Sequence, residues 1–214
     1  MTADSAVRAR PAALPPWRRR LALSQDALLV VVSAFFLWLH VQRVAEGSYT
    51  SVPFAIEQAL LVGMFLFRRR SRATSTRPFD WVVAAGGWLP LLMRPHDAAF
   101  AAGVAGTAMQ MAGLTMTAVG FLYLGRSFGV VAADRGLKVH GPYRFVRHPI
   151  YFSHFVTTIG FVAANFGLLN IGLLALVTVC QVLRIRAEER VLGETSDYAA
   201  YRAQVRWRLL PGLY

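Results

Sequence analysis

The sequence predicts an all-α fold, a polytopic transmembrane bundle of four spans followed by a C-terminal helical hairpin. Three observations carry that expectation. Hydrophobic residues make up 56% of the 214-residue chain and charged residues only 16%, against roughly 25% charged in soluble proteins. The apolar residues fall into long runs, and the arginines gather at the ends of those runs.

Six apolar runs can be marked. They are Ala27–Val41 (extendable toward Leu21 if Asp26 lies at the interface), Val52–Phe67, Phe79–Met93, Ala98–Leu124, Ile150–Phe166 and Leu168–Leu183. A spanning helix needs about 20 residues, with a range of roughly 17 to 25. The fourth run is long enough alone, whereas the first three need flanking residues. The last two are separated only by Gly167 and read as a tight hairpin turning at Asn165-Phe166-Gly167.

The basic residues set the orientation. Arg18, Arg19 and Arg20 precede the first run; Arg68, Arg69, Arg70, Arg72 and Arg77 lie between the second and third. Arg126, Arg135, Lys138, Arg144 and Arg147 follow the fourth, and Arg184, Arg186, Arg190, Arg202, Arg206 and Arg208 follow the hairpin. If the chain alternates, all fall on one side, and the other side receives Arg43 and Arg94. The positive-inside rule then puts both termini and the loop after the fourth run in the cytoplasm. In a bacterial cell the membrane would be the inner one. The net charge of +12 does not point to nucleic acid, because the arginines cap apolar runs and do not line one polar face.

The stretch 1–20 carries Pro11, Pro15 and Pro16, has no apolar core and reads as a flexible cytoplasmic tail, not a cleavable signal. Residues 21–124 hold the four spans, and 125–214 hold most of the polar mass of the C-terminal half. The single cysteine, Cys180, lies in an apolar run, and no metal-ligand spacing is present. A site for a soluble cofactor would therefore be a cytoplasmic pocket between Gly125–Pro149 and Arg184–Tyr214.

Two clusters in those pieces can carry chemistry. The first is Gly141-Pro142-Tyr143-Arg144-Phe145-Val146-Arg147-His148-Pro149-Ile150-Tyr151. Gly141-Pro142 signals a turn, Pro149 fits the first turn of a helix, and His148 would cap it. The same residues could instead form a basic, aromatic interfacial belt. The second cluster is Arg184-Ile185-Arg186-Ala187-Glu188-Glu189-Arg190. Arg184 and Glu188 share a face if the last span continues as a helix; otherwise the cluster is a solvated helix end. Glu57 and Gln58 lie inside an apolar run. An intramembrane carboxylate is a functional candidate, but near the outer interface Glu57 reads better as a snorkelling side chain. Gln110 reads as an interhelical hydrogen-bonder.

In order and spacing, these clusters resemble the isoprenylcysteine carboxyl methyltransferase family over roughly the last 90 residues, from Gly125-Arg126-Ser127-Phe128 to Tyr214. The carrying residues are Gly141-Pro142-Tyr143, Arg147-His148-Pro149-Ile150-Tyr151, Arg184 with Glu188-Glu189, and Asp197-Tyr198 to Tyr201. The resemblance implies S-adenosylmethionine in the cytoplasmic pocket. Its contacts would be Leu137, Lys138, Tyr143, His148, Pro149, Ile150, Tyr151 and either Glu188 or Glu189. Arg184 would face the substrate carboxylate, and no metal is implied. The loop Val130-Val131-Ala132-Ala133-Asp134-Arg135-Gly136 lacks the polar residues many members carry there.

Phosphatidylethanolamine N-methyltransferases share the Arg-His-Pro-x-Tyr and paired-glutamate pattern. Membrane sterol reductases, which bind NADPH, resemble the C-terminal half. A non-enzymatic scaffold leaves both polar clusters unexplained. A carboxylate acceptor is already ionised at neutral pH and needs no base, and an arginine can hold it at two points. The expected reaction is thus O-methylation of a prenylated cysteine or similar lipid-like acid, reached sideways from the bilayer.

Overall fold

The computed structural model describes residues 16–67, 73–75, 77–96, 100–127, 133–134, 137–193 and 196–214. Residues 1–15 of the expected 1–20 tail, the arginines at 68–70 and 72, Phe128, and most of the 130–136 loop lie outside the described residues, whereas residues 16–20, expected in that tail, are helical. Among the described residues seven α-helices are seen: α1 Pro16–Ala45, α2 Val52–Phe67, α3 Pro78–Ala85, α4 Phe100–Leu124, α5 Pro149–Ala164, α6 Leu168–Leu192 and α7 Ser196–Gln204. Two antiparallel two-residue strands, β1 Ala73–Thr74 and β2 Ala133–Asp134, pair Ala73 with Asp134.

Among the described residues three stretches are long and apolar enough to cross a membrane: Ala27–Ala45, Ala102–Leu124 and Leu168–Leu192. α2 and α5 are apolar but have 16 residues each, about 24 Å at 1.5 Å per residue, short of a core about 30 Å thick. The third apolar run departs from the expected single span. Gly86-Gly87 weakens the α-helix and Pro90 removes a backbone donor. The chain accordingly tightens into a 3-10 helix over Gly86–Leu92 after only eight α-helical residues.

α5 leads into the expected turn at Asn165-Phe166-Gly167, but its intimate neighbour is α4. Gly106, Gly113 and Gly120 recur every seven residues, close to two helical turns, and so line one face of α4. A β-carbon at Gly106 would strike the Gly160 carbonyl and Ala164. One at Gly113 would strike Thr157 and the Ser153 carbonyl, and one at Gly120 would strike Ile150. Small residues let two backbones approach this closely. Thr117 Oγ1 and Ser153 Oγ, 2.8 Å apart, add a buried hydrogen bond across the seam. At the far end, Asn170 accepts from Arg94 N at 3.0 Å and donates to Arg94 O at 2.8 Å, tying the segment after the 3-10 helix to α6.

At the opposite end the C-terminal tail folds back on the loop before α5. Arg147 N donates to Trp207 O and His148 N to Arg208 O, both at 2.9 Å. Tyr201 Oη donates to Tyr143 O at 2.6 Å. Tyr198, Tyr201 and Val205 bury against Leu137 and Leu192. Loop, α6 and tail are thus one packed unit.

Candidate active site

α6 runs unbroken through Leu192, so Gln181, Arg184 and Glu188, spaced three and four apart, share one face. α5 begins at Pro149, which takes the first helical position as expected, and runs in the opposite direction. His148, Tyr151 and His154 recur every three residues beside that face. Tyr151 Oη donates to Glu188 Oε2 at 2.9 Å. The Arg184 guanidinium lies over the Tyr151 ring, 5.1 Å from its centre. From the other side Gly87 leaves room for it, since a β-carbon there would collide with Arg184 Nη1.

His148 stands at the N-cap of α5, but its ring makes no capping hydrogen bond. The expected capping role is corrected by the pull of the acidic pair. Nε2 lies 3.2 Å from Glu189 Oε1, and Nδ1 lies 4.0 Å from Glu188 Oε2. The ring therefore bridges the two glutamates.

Those glutamates have different surroundings. The Glu189 side chain is 9% exposed, with Oε1 2.8 Å from Arg147 Nη1 and Oε2 accepting from Arg208 Nε at 2.9 Å. Both its oxygens are engaged by the protein. The Glu188 side chain is 32% exposed and lines the cavity. Burial, with Glu188 adding to it, pushes the Tyr143 phenol well above its ordinary range, and burial pushes Tyr201 up to about 12. Both phenols stay neutral at physiological pH and can donate hydrogen bonds there.

A cavity runs between the helices. Its polar end is lined by Ser127, Tyr143, Arg147, His148, Tyr151 and Glu188. Its interior is lined by Phe54, Leu61, Phe65, Trp88 and Phe121, and Arg184 also faces it. Of the residues expected from the sequence, Tyr143, His148, Ile150, Tyr151, Arg184 and Glu188 meet around this cavity. Leu137 packs into the aromatic cluster of the tail. Leu137, Lys138, Pro149 and Glu189 are not among the lining residues.

The cavity also takes polar and close-packed lining from before residue 125, including Glu57 and Gln58 of α2 and Gly87 and Trp88 of the 3-10 helix. The region 125–214 therefore does not enclose it alone. Glu57 does not snorkel. It is 5% exposed, and its Oε1 lies 2.9 Å from His154 Nδ1. The signal was a carboxylate within an apolar run; its partner, 97 residues away, was invisible to local pattern. Gln110 is fully buried as expected of an interhelical residue, but neither amide atom has a hydrogen-bond partner among the described residues. Among the described residues no group of three or more His, Cys, Asp or Glu is placed to hold a metal.

Residues 104–194 match the family model of the isoprenylcysteine carboxyl methyltransferase (ICMT) family. The resemblance read from the sequence is borne out over this segment. A search of curated proteins finds no match. The segment is less than half of the chain, yet it holds both polar ladders, from His148 to His154 and from Gln181 to Glu188. The general kind of protein follows: a methyltransferase with membrane-spanning helices. α1 to α3 and the tail that supplies Arg208 lie outside the match.

Proposed function

We propose that this protein uses S-adenosylmethionine to methylate the carboxylate of a prenylated cysteine or a similar lipid-like acid. The observation that carries the reading is the placement of Arg184. It shares a face of α6 with Glu188 and lines the same cavity, whose walls also include Phe54, Leu61 and Phe65. An acid with a hydrocarbon tail matches that gradient, with its carboxylate at Arg184 and its tail among Phe54, Leu61 and Phe65.

Methyltransferases of the ICMT family generally use S-adenosylmethionine. The chemistry of the polar end fits it. Glu188 offers a carboxylate to a cation, and Tyr143 offers a ring face and a phenolic donor. NADPH carries several phosphate charges, which Glu188 would disfavour. When bound, S-adenosylmethionine supplies a methyl group on a positively charged sulfur. Glu188 would hold the ammonium or the ribose hydroxyls, with Tyr143, His148, Ile150 and Tyr151 around it. Arg184 would hold the acceptor carboxylate at two points and fix its angle of approach. The apolar walls would exclude water. An ionised carboxylate requires no proton transfer, so the reading assigns no base.

The proposal includes the topology. α3 and the 3-10 helix have 8 and 7 residues; at about 1.5 and 2.0 Å per residue they cover roughly 26 Å. With α1, α2 and α4 they make four crossings, and α5–α6 make the hairpin. Both termini and the polar end of the cavity then face the cytoplasm. The substrate arrives from the bilayer.

Incubating the purified protein with methyl-labelled S-adenosylmethionine and S-farnesylcysteine tests the reading. The expected product carries a label that mild alkali releases as methanol, the behaviour of a methyl ester. A label that resists alkali would mark transfer to nitrogen and overturn the carboxylate assignment.

A further inference from the structure

The interior of the cavity is not wholly apolar. Past Arg184, away from Glu188, it is lined by Glu57 and Gln58 of α2, His154 of α5 and Gln181 of α6. Glu57, Gln58 and Gln181 are each 5% exposed. Glu57 and His154 pair with one another. Gln58 Oε1 and Gln181 Oε1 are buried and have no hydrogen-bond partner among the described residues. Two unmatched buried acceptors, on side chains from different helices that line the same cavity beside a carboxylate, are costly for a protein to keep in an apolar membrane interior. A saturated hydrocarbon tail would leave both unmatched.

We infer that this group is a polar subsite for the acceptor's tail, and that the preferred acid carries a hydroxyl about one helical turn beyond its carboxylate. The inference rests on the reading of Arg184 as the carboxylate anchor. Gln181 precedes Arg184 by three residues on the same face, about 4.5 Å along the axis at 1.5 Å per residue. On α5, which runs the other way, His154 lies the same distance beyond Tyr151. An extended chain covers that distance in about four bonds, which places the hydroxyl near the fifth carbon of a fatty acid. A hydroxyl suits the site better than an amine or a ketone. It donates to Glu57 or to a glutamine oxygen and accepts from a glutamine N–H or an imidazole N–H. It therefore matches either orientation of the two amides.

The test is binding, measured by calorimetry in lipid nanodiscs without S-adenosylmethionine. The probes are hexadecanoic acid, 5-hydroxyhexadecanoic acid and 12-hydroxyhexadecanoic acid. The 5-hydroxy acid should bind on the order of tenfold more tightly than the unsubstituted acid, and the 12-hydroxy acid should gain nothing. In the double variant Gln58→Leu/Gln181→Leu the preference for the 5-hydroxy acid should fall to near unity. Equal affinity of the wild-type protein for the 5-hydroxy and unsubstituted acids, or binding of neither, overturns the inference. So does an unchanged preference in the double variant. Methyl transfer plays no part in the measurement. A tight 5-hydroxy complex that is never methylated would count against the proposed reaction and leave the subsite standing.

Discussion

Arg184→Ala should abolish methyl transfer while leaving S-adenosylmethionine binding nearly unchanged. The guanidinium sits between Tyr151 and Gly87 and faces the cavity. A bidentate carboxylate contact comprises two charge-assisted hydrogen bonds, about 1.5–3 kcal/mol each. Losing both amounts to roughly 10²- to 10⁴-fold in kcat/KM. Arg184→Lys should recover little of this, because an ammonium cannot make the planar two-point contact. Glu188→Gln should show the complementary pattern, with cofactor affinity reduced on the order of tenfold. Cofactor affinity and turnover measured on the three variants separate the roles. Were Arg184 and Glu188 only neighbours on a helix surface, worth roughly 0–1 kcal/mol as a pair, both properties would survive every substitution.

Glu189→Gln should act on stability first and on activity through it. The Glu189 carboxylate is nearly buried and holds Arg147, His148 and Arg208 together. These residues join α6, the N-terminus of α5 and the tail. Neutralising it leaves the Arg147 and Arg208 cations without their carboxylate, and Arg147 is itself buried. Breaking a buried ion pair from one side costs about 3–5 kcal/mol. Allowing for the partial exposure of Arg208, the lower end, about 3 kcal/mol, is the expectation, or roughly 6–12 °C in Tm for a chain of this size. Arg147→Met should be destabilising too, and Glu189→Gln/Arg147→Met should cost clearly less than the sum of the two. A Glu189→Gln protein that melts with the wild type would show that the cluster does not hold the site together.

The parts of the site legible in the sequence were those set by helix geometry. Arg184 and Glu188 are four apart in a run that stays helical, so their common face followed from spacing alone. Pro149 marked the start of α5 because a proline costs nothing there. The choice between Glu188 and Glu189 was not legible. It depends on Arg208 arriving from the tail to occupy one of them, a contact across 19 residues of irregular chain and short helix. The same arrival explains the misread cap: His148 turns its ring to Glu189 and away from the backbone of α5. Glu57 was misjudged because hydropathy describes depth along a span and says nothing about the neighbour at that depth, here His154. The third apolar run was counted as a plain span on composition, although Gly86-Gly87 and Pro90 already carried the signal for a break. The same break brings Gly87 and Trp88 to the cavity.

The central claim is that the polar end of the cavity is built for S-adenosylmethionine. Titration calorimetry of the purified protein against S-adenosylmethionine and, separately, NADPH tests it directly. Saturable binding of S-adenosylmethionine and none of NADPH is the predicted result. Saturable binding of NADPH with none of S-adenosylmethionine would contradict the account.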